Sequence, residues 1–167
     1  MVIPTLKIKK NYPDAQIPQR AYPTDSGLDL YAYSFDTLFT KDEVLKGNGW
    51  ITAGNNYVFL SPMSRLLVDT GISATVGEGY EIQLRPRSGL AVKNGISVLN
   101  TPGTIDEQYR GPFKVILINL SEISQKITLG DKIAQMVVCP VILSEVEEVK
   151  ELESTERGSG GFGHSGV

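Results

Sequence analysis

Short segments of alternating apolar and polar residues, separated by turn residues, predict that this chain is built mostly of β-strands. The clearest is Tyr80–Arg85, in which three apolar residues alternate with Glu, Gln and Arg. A period of two places one face of a strand against a core and leaves the other face polar. The apolar run 115–118 instead predicts a buried strand. Because segments of helical period are few, the pattern favours an all-β protein.

Weaker versions of the same signal predict further strands. They lie at residues 6–9, 28–32, 57–60, 65–70, 96–99 and 126–129, and in a segment that ends at Cys139. From residue 35 to 56 the signal fades, and we treat 33–56 as a probable insertion that contains the only tryptophan, Trp50. Within it, residues 39–46 are compatible with one or two helical turns, with Thr40 as the N-cap and Gly47 as the stop.

Composition supports this picture and limits the partners. At 167 residues the chain is long enough for one domain with its own core, and 17 Gly and 9 Pro fit strands joined by many turns. A formal net charge of -3 argues against a broad electrostatic contact with nucleic acid, but it leaves room for a local basic pocket that binds a compact anion. We therefore expect no nucleic-acid partner.

The sequence carries no signal for a membrane or for secretion. No apolar stretch approaches the length needed to span a bilayer, and residues 1–5 lack the charged and apolar regions of a signal peptide. The single cysteine, Cys139, excludes an internal disulfide. We expect a cytoplasmic protein without a membrane partner.

Residues 103–111 combine an acid, an aromatic and a base between two glycines, directly before the apolar run 115–118. Glycine allows tight turns and close approach of the backbone to a ligand. Strand 96–99 and the strand after Gly111 are expected to form a hairpin, with Asn100 and Tyr109 near its open end. We interpret this stretch as a site; the alternative is a polar hairpin tip whose side chains serve only its own turn.

Three other stretches carry candidate chemistry. After Arg85, the sequence Pro-Arg-Ser-Gly predicts a short helical turn beginning at Ser88, whose backbone N–H groups, with Arg87 beside them, suit a phosphate; solvated arginines at a simple cap are the alternative. A turn at residues 26–27 places Asp29 on a strand, opposite the core side, as a ligand or as a structural hydrogen-bond acceptor. The glycine-rich tail suits either a disordered end or an arm that orders over a nucleotide.

Taken together, these stretches resemble the five motifs of the trimeric deoxyuridine triphosphatase (dUTPase) family, in the expected order. The matching segments are 21–32, 85–91, 103–111, 130–135 and 157–166. The resemblance implies a jelly-roll-like, distorted β-barrel over residues 1–154 and a C-terminal arm, residues 155–167, that closes over the active site. It further implies a homotrimer in which each site is assembled from more than one subunit.

The resemblance also assigns roles to residues. Asp106 would be the base that activates the attacking water, and Tyr109 would pack under the deoxyribose. The residues expected to hold uracil are Asn100, Thr104, Ile105 and Lys114. The residues expected to contact the phosphates are Arg87, Ser88, Gly89 and Gln135.

In the first motif, Asp29 would reach Mg²⁺ through water. In the arm, Arg157 would bind the terminal phosphate, and Phe162 would stack on uracil, with Gly163 allowing close approach. The chain departs from the family at 164–165, where His-Ser replaces the Ser-Thr of many members. The backbone of His164 and the hydroxyl of Ser165 are the phosphate donors expected there.

The implied reaction is hydrolysis of dUTP to dUMP and pyrophosphate, with Mg²⁺ as cofactor, which keeps uracil out of DNA and supplies dUMP for thymidylate synthesis. A dCTP deaminase relative is one alternative, but it calls for a glutamate-centred site. The Asp-Ser-Gly at 25–27 and Asp-Thr-Gly at 69–71 resemble aspartic protease turns, yet they lie too close in sequence for two lobes. A regulatory nucleotide-binding module, with a partner site in the 33–56 insertion, is the third alternative.

Overall fold

The computed structural model describes residues 3–46 and 56–161, which form an almost entirely β structure. Its elements follow the chain as β1 (Lys7–Lys10), β2 (Leu28–Tyr31), β3 (Ser34–Phe39), β4 (Val44–Lys46), β5 (Tyr57–Leu60), β6 (Arg65–Asp69), β7 (Ile72–Thr75), β8 (Tyr80–Arg85), α1 (Ser88–Asn94), β9 (Ile96–Val98), β10 (Gly103–Ile105), β11 (Lys114–Asn119), β12 (Gln125–Thr128) and β13 (Lys132–Pro140). The all-β class predicted from the alternating pattern is confirmed.

Two larger sheets and two strand pairs make up the fold. One sheet has the strand order β10-β8-β13-β2 and the other β4-β3-β6-β11-β9, while β1 pairs with β7 and β12 with β5. Every pairing is antiparallel. Neighbouring strands in each sheet are often distant in sequence, as expected of a jelly-roll-like fold rather than a simple meander.

A single hydrophobic cluster joins the inward faces of both larger sheets. Leu30, Leu84 and Met136 come from one sheet, and Phe35 and Leu117 from the other, and all five are buried. The alternation predicted for β8 is present, because Ile82 and Leu84 are buried while their polar neighbours are half-exposed. Burial of this face fixes the register of β8, since a slip by one residue would expose it.

The helical turns considered for residues 39–46 are absent. The segment instead closes a hairpin in which Phe39 pairs with Val44 and Thr37 with Lys46. The hydroxyl of Thr40 accepts hydrogen bonds from the backbone N–H groups of Asp42 and Glu43 in the turn. The local polar pattern had suggested a helix, but pairing of β3 with β6 in the larger sheet favours a strand.

The hairpin expected around residues 96–118 forms, with one difference. Strand β9 pairs with β11, so Val98 lies opposite Leu117. The intervening strand β10 leaves this sheet and pairs with β8, with Gly103 opposite Leu84 and Ile105 opposite Ile82. The segment that carries Asp106 is therefore held at the edge of the other sheet.

After β13 the chain continues to residue 161 without further strands or helices, and almost all of it is exposed. The exposed side chains include large apolar ones: Ile142, Leu143, Val146 and Leu152 are each more than 80% exposed. Along the described residues, we find no helix long and apolar enough to cross a membrane.

Candidate functional site

A cationic turn lies at the C-terminal end of β8. Three neighbouring strands put Arg85, Gln135 and Asp29 in one row across the sheet. The chain then turns through Arg87 into α1, whose first residue is Ser88. We call Asp29, Arg87, Lys132 and Gln135 the cationic cluster.

Within the cationic cluster, the Asp29 carboxylate is bound by two cations. Arg87 Nε lies 2.9 Å from Asp29 Oδ1, and Lys132 Nζ lies 2.8 Å from Oδ2. Arg87 Nη1 also donates to the backbone oxygen of Lys132, at 3.1 Å. The hydrogen bond to Asp29 raises the pKa of Lys132 above its ordinary value. The carboxylate thus orients both cations at the mouth of the turn.

Gln135 links the first motif to this turn. Its Nε2 donates to the backbone oxygen of Pro86 at 2.9 Å, directly before Arg87. A Cβ atom on Gly27 would lie only 2.1 Å from Gln135 Oε1, so glycine is required for this close approach. The turn at 26–27, the strand with Gln135 and the turn at Arg87 therefore form one unit.

The start of α1 presents backbone donors beside these cations. Arg87 is the N-cap residue in extended conformation and makes no side-chain capping hydrogen bond. Ser88 and Gly89 are exposed. The first N–H groups of a helix have no acceptor within it, so they are available to an anion. Sequence analysis placed Arg87, Ser88, Gly89 and Gln135 together, and the structure does so too.

Asp106 lies elsewhere, in a second group that we call the hairpin cluster. It contains Asn100, Thr104, Ile105, Asp106, Tyr109 and Lys114. The Asp106 side chain is exposed, and its backbone oxygen accepts a hydrogen bond from Tyr109 N at 3.0 Å. An open cleft of about 400 Å³ adjoins Asp106, and Glu81, Glu107 and Leu143 contribute to its walls. Asp106 is thus accessible to a ligand and to water.

Tyr109 is fixed by the turn around it. Its hydroxyl donates to the backbone oxygen of Pro112 at 3.0 Å. A Cβ atom on Gly111 would lie 2.4 Å from that hydroxyl oxygen, so only glycine leaves room for the ring. Phe113 is buried, and its ring lies 6.5 Å from that of Tyr109. Tyr109 is 43% exposed and so presents the rest of its ring outward.

Lys114, at the start of β11, forms an ion pair with Asp36 on β3. The hydrogen bond between them lowers the pKa of Asp36 and raises that of Lys114, against an opposing effect of burial on each. Asp36 was not recognised from the sequence, because it falls in the segment whose signal is weak. Lys132 was also missed, since no short motif ties it to Asp29.

The cationic cluster and Asp106 lie well apart in one chain. Ile105 lies opposite Ile82 of β8, so the next residue, Asp106, is in register with Glu81. Asp29 is in register with Arg85, at the other end of β8, through Gln135. Asp106 and Asp29 are thus separated by four residues along the strand direction and by the three interstrand spacings from β10 to β2. With the usual spacings in a β-sheet this is roughly 20 Å.

The described part of the arm ends at residue 161. Arg157 is exposed, and its Nε donates to the backbone oxygen of Gly160, at 2.7 Å, within a local turn. Phe162, Gly163, His164 and Ser165 lie outside the described residues. Their assigned roles stay predictions.

Among the described residues, no group of three or more His, Cys, Asp or Glu side chains is arranged to hold a metal. Asp29 is 9% exposed, and both of its oxygens are already paired with cations. Mg²⁺ commonly keeps several waters and takes one or two carboxylates together with substrate phosphates. The arrangement therefore fits an outer contact through water rather than a cage of protein ligands.

The all-β scaffold carries a cationic turn suited to phosphate and a separate hairpin that exposes a carboxylate, an arrangement suited to a phosphorylated ligand. Comparison with known proteins makes the class specific. The family model described as dUTPase matches residues 51–166. The chain belongs to the dUTPase family.

Relatives cover nearly the whole chain. A deoxyuridine 5'-triphosphate nucleotidohydrolase of Hydrogenobaculum sp. is 48% identical over 97% of this chain and 98% of its own length. The enzyme of the same name from Clostridium tetani is 44% identical over 97% of both chains. Among solved structures, a mutant dUTPase of Staphylococcus bacteriophage 80alpha with dUpNHpp has a TM-score of 0.77 at 26% identity, over 98% of this chain and 99% of that one.

Proposed function

We propose that this chain hydrolyses dUTP to dUMP and pyrophosphate, with Asp106 as the base. The observation that carries the proposal is the exposed Asp106 in the glycine-bounded hairpin of a chain that belongs to the dUTPase family. Relatives that match nearly the full length bear the name of this activity. The reaction would remove dUTP before uracil enters DNA and would supply dUMP for thymidylate synthesis.

Asp106 is suited to activate a water molecule. An aspartate is ionised at neutral pH without help from its surroundings, and this one faces an open cleft. We expect it to accept a proton from the water that attacks the α-phosphate. A general base contributes about 10²- to 10⁴-fold to a rate, and the rest comes from positioning the triphosphate and stabilising its charge.

The cationic cluster supplies the phosphate contacts in this proposal. Arg87 is paired with Asp29, and the exposed residues Ser88 and Gly89 follow it directly at the start of α1. Gln135 keeps that turn in place through Pro86. Charge-assisted hydrogen bonds from an arginine and backbone donors are strong contacts for phosphate. Arg157, Phe162, Gly163, His164 and Ser165 would complete the enclosure when the arm closes.

Bound Mg²⁺ would neutralise part of the triphosphate charge. We propose that Asp29 is the residue that reaches it, through water, since the carboxylate is the only acid in the cationic cluster.

The hairpin cluster would select the nucleoside. Asn100, Thr104, Ile105 and Lys114 would bind uracil by hydrogen bonds, and the outward face of Tyr109 would exclude a 2'-hydroxyl. A wrong base would leave buried polar groups of the site without hydrogen-bond partners, which lowers kcat/KM for that nucleotide by about 10⁴-fold or more.

We further propose that the site is completed by other copies of the chain in a homotrimer. The separation of roughly 20 Å between Asp106 and the cationic cluster is one support. The exposed apolar side chains after β13 are another, because Ile142, Leu143 and Val146 are each more than 80% exposed in the described part of the chain. Burial of such a segment on a neighbouring copy would carry the arm to a neighbouring site. The expected compartment is the cytoplasm.

The test is pyrophosphate release with Mg²⁺ from dUTP, dTTP, dCTP and UTP at equal concentration. Selective release from dUTP is expected, and Asp106→Asn should lose about 10²- to 10⁴-fold in kcat while still binding the nucleotide. Release of ammonia from dCTP, or near-normal turnover by Asp106→Asn, would contradict the proposal.

A further inference from the structure

Asp36 occupies an irregular position in β3. Phe35 lies opposite Val68 of β6 and Thr37 lies opposite Leu67, so two steps along β3 correspond to one along β6. Asp36 is thus the extra residue of a β-bulge. A bulge turns the side chain of its extra residue away from the regular alternation, and bulges often lie beside functional sites.

The bulge directs the Asp36 carboxylate toward Lys114, two strands away. Lys114 is opposite Asp69 on β6, and Asp69 in turn is opposite Ser34 on β3. The lysine side chain therefore crosses β6 to form its ion pair with Asp36 Oδ2. Thr37 donates its hydroxyl to the other carboxylate oxygen, Asp36 Oδ1, at 3.2 Å. Both oxygens of Asp36 are engaged, which holds the carboxylate in one orientation.

The nearer acid, Asp69, contributes to the raised pKa of Lys114 through its charge, but the lysine donates its hydrogen bond to Asp36. Asp69 is buried, and its Oδ1 accepts a hydrogen bond from Gly71 N at 2.6 Å. The hydroxyl of Tyr109 donates to the backbone oxygen of Pro112, and its ring lies 6.5 Å from that of Phe113, the residue before Lys114. The chain therefore brings the tyrosine of the hairpin cluster to the start of β11, where the ion pair lies. An ammonium group has three donors, and Asp36 uses one of them.

We infer that Asp36 is a positioning residue, which holds the Lys114 ammonium at the base of the hairpin cluster so that its remaining donors face the pyrimidine ring of the substrate. The inference rests on the proposed function, and it assigns a role in base binding to Asp36, which lies in the segment 33–56 that sequence analysis treated as a probable insertion. An unanchored lysine would have to be ordered when the nucleotide binds, and anchoring removes that cost beforehand. Asp36 itself is not a catalytic residue, since it acts through Lys114.

The experiment is a double-mutant cycle on the full-length chain, with KM and kcat for dUTP measured by pyrophosphate release. Asp36→Asn is expected to raise KM about two- to fivefold, the effect of losing a partly exposed ion pair, and to leave kcat within about twofold. In a Lys114→Met background the same substitution should change KM no further, because there is no ammonium left to position. Asp36→Glu keeps the charge and is expected to recover most of the wild-type KM.

Asp42→Asn is the matched control, because it removes the same charge from the exposed turn of the same hairpin. It should behave as wild type. An Asp36→Asn effect of equal size with and without Lys114, or an unchanged KM, would overturn the inference while dUTP turnover by wild type upheld the proposed function. A wild-type chain and Asp42→Asn that both fail to release pyrophosphate would overturn both.

Discussion

Gly27→Ala tests the link between the first motif and the cationic turn. The added Cβ would lie 2.1 Å from Gln135 Oε1 and 3.0 Å from Cδ, whereas ordinary contacts begin at about 3.4 Å. The backbone of Gln135 cannot retreat, because it pairs with Asp29 on one side and Arg85 on the other. The amide group must therefore swing away, and its hydrogen bond to Pro86 is lost.

The structure predicts a modest effect on stability and a large one on activity. An amide at the flexible end of a side chain moves at little cost, so the free energy of unfolding should fall by about 0.5 to 1.5 kcal/mol, the net value of one hydrogen bond. The turn that carries Arg87 and Ser88 loses its support at Pro86. A displacement of about 1 Å in such a group costs up to about 100-fold in rate, so kcat/KM for dUTP should fall far more than stability.

Two measurements test this contrast between stability and activity: denaturant unfolding, and kcat/KM for dUTP. Both are made on Gly27→Ala, on Gln135→Ala and on the double variant. Gln135→Ala removes the two atoms that the new methyl group would meet most closely and leaves only the contact with the Cβ of residue 135, at 3.3 Å, which a shift of a few tenths of an ångström relieves. The double variant should thus be no less stable than Gln135→Ala alone. Additive losses of stability in the double variant would show that the methyl group collides with something else and would refute this reasoning.

Three further outcomes are expected. Gly111→Ala should displace the Tyr109 ring, whose hydroxyl oxygen would be 2.4 Å from the new Cβ, and should reduce the preference for dUTP over UTP, measured as the ratio of kcat/KM values. Truncation after Glu156 should abolish most turnover but leave the melting temperature nearly unchanged, because the tail up to 161 is exposed; an unfolded product would contradict this. The ion pair lowers the pKa of Asp36 and raises that of Lys114, so the free energy of unfolding lost in Asp36→Asn should be constant near neutral pH. The loss should shrink as the pH falls through the lowered pKa of Asp36, and also as it rises through the raised pKa of Lys114. Unfolding measured as a function of pH checks both limits.

Local patterns were sufficient where burial alone decides the structure. The alternation in 80–85 and the apolar run 115–118 both became strands, since each has a face or faces that only a core can cover. The turn before Ser88 was also foreseeable, because its residues favour a helix start. The five sequence motifs were sufficient to predict the dUTPase family.

Pairings between distant segments were beyond the sequence pattern. Nothing in residues 39–46 indicates that β3 will bind β6, and this pairing decides between strand and helix there. The register of β10 on β8, which separates Asp106 from the cationic cluster, is likewise a tertiary property. Lys132 and Asp36 escaped notice because their partners, Asp29 and Lys114, lie far away in sequence.

The measurement that tests the composite site most directly is subunit complementation. Asp106→Asn and Arg87→Ala should each be nearly inactive alone. If every site combines a hairpin cluster from one copy with a cationic cluster from another, chains mixed in equal amounts and reassembled should recover about a quarter of wild-type pyrophosphate release from dUTP, since half of the hairpins and half of the turns are intact. No recovery after verified exchange of subunits would contradict the account, because it would mean that one chain supplies both halves of its own site.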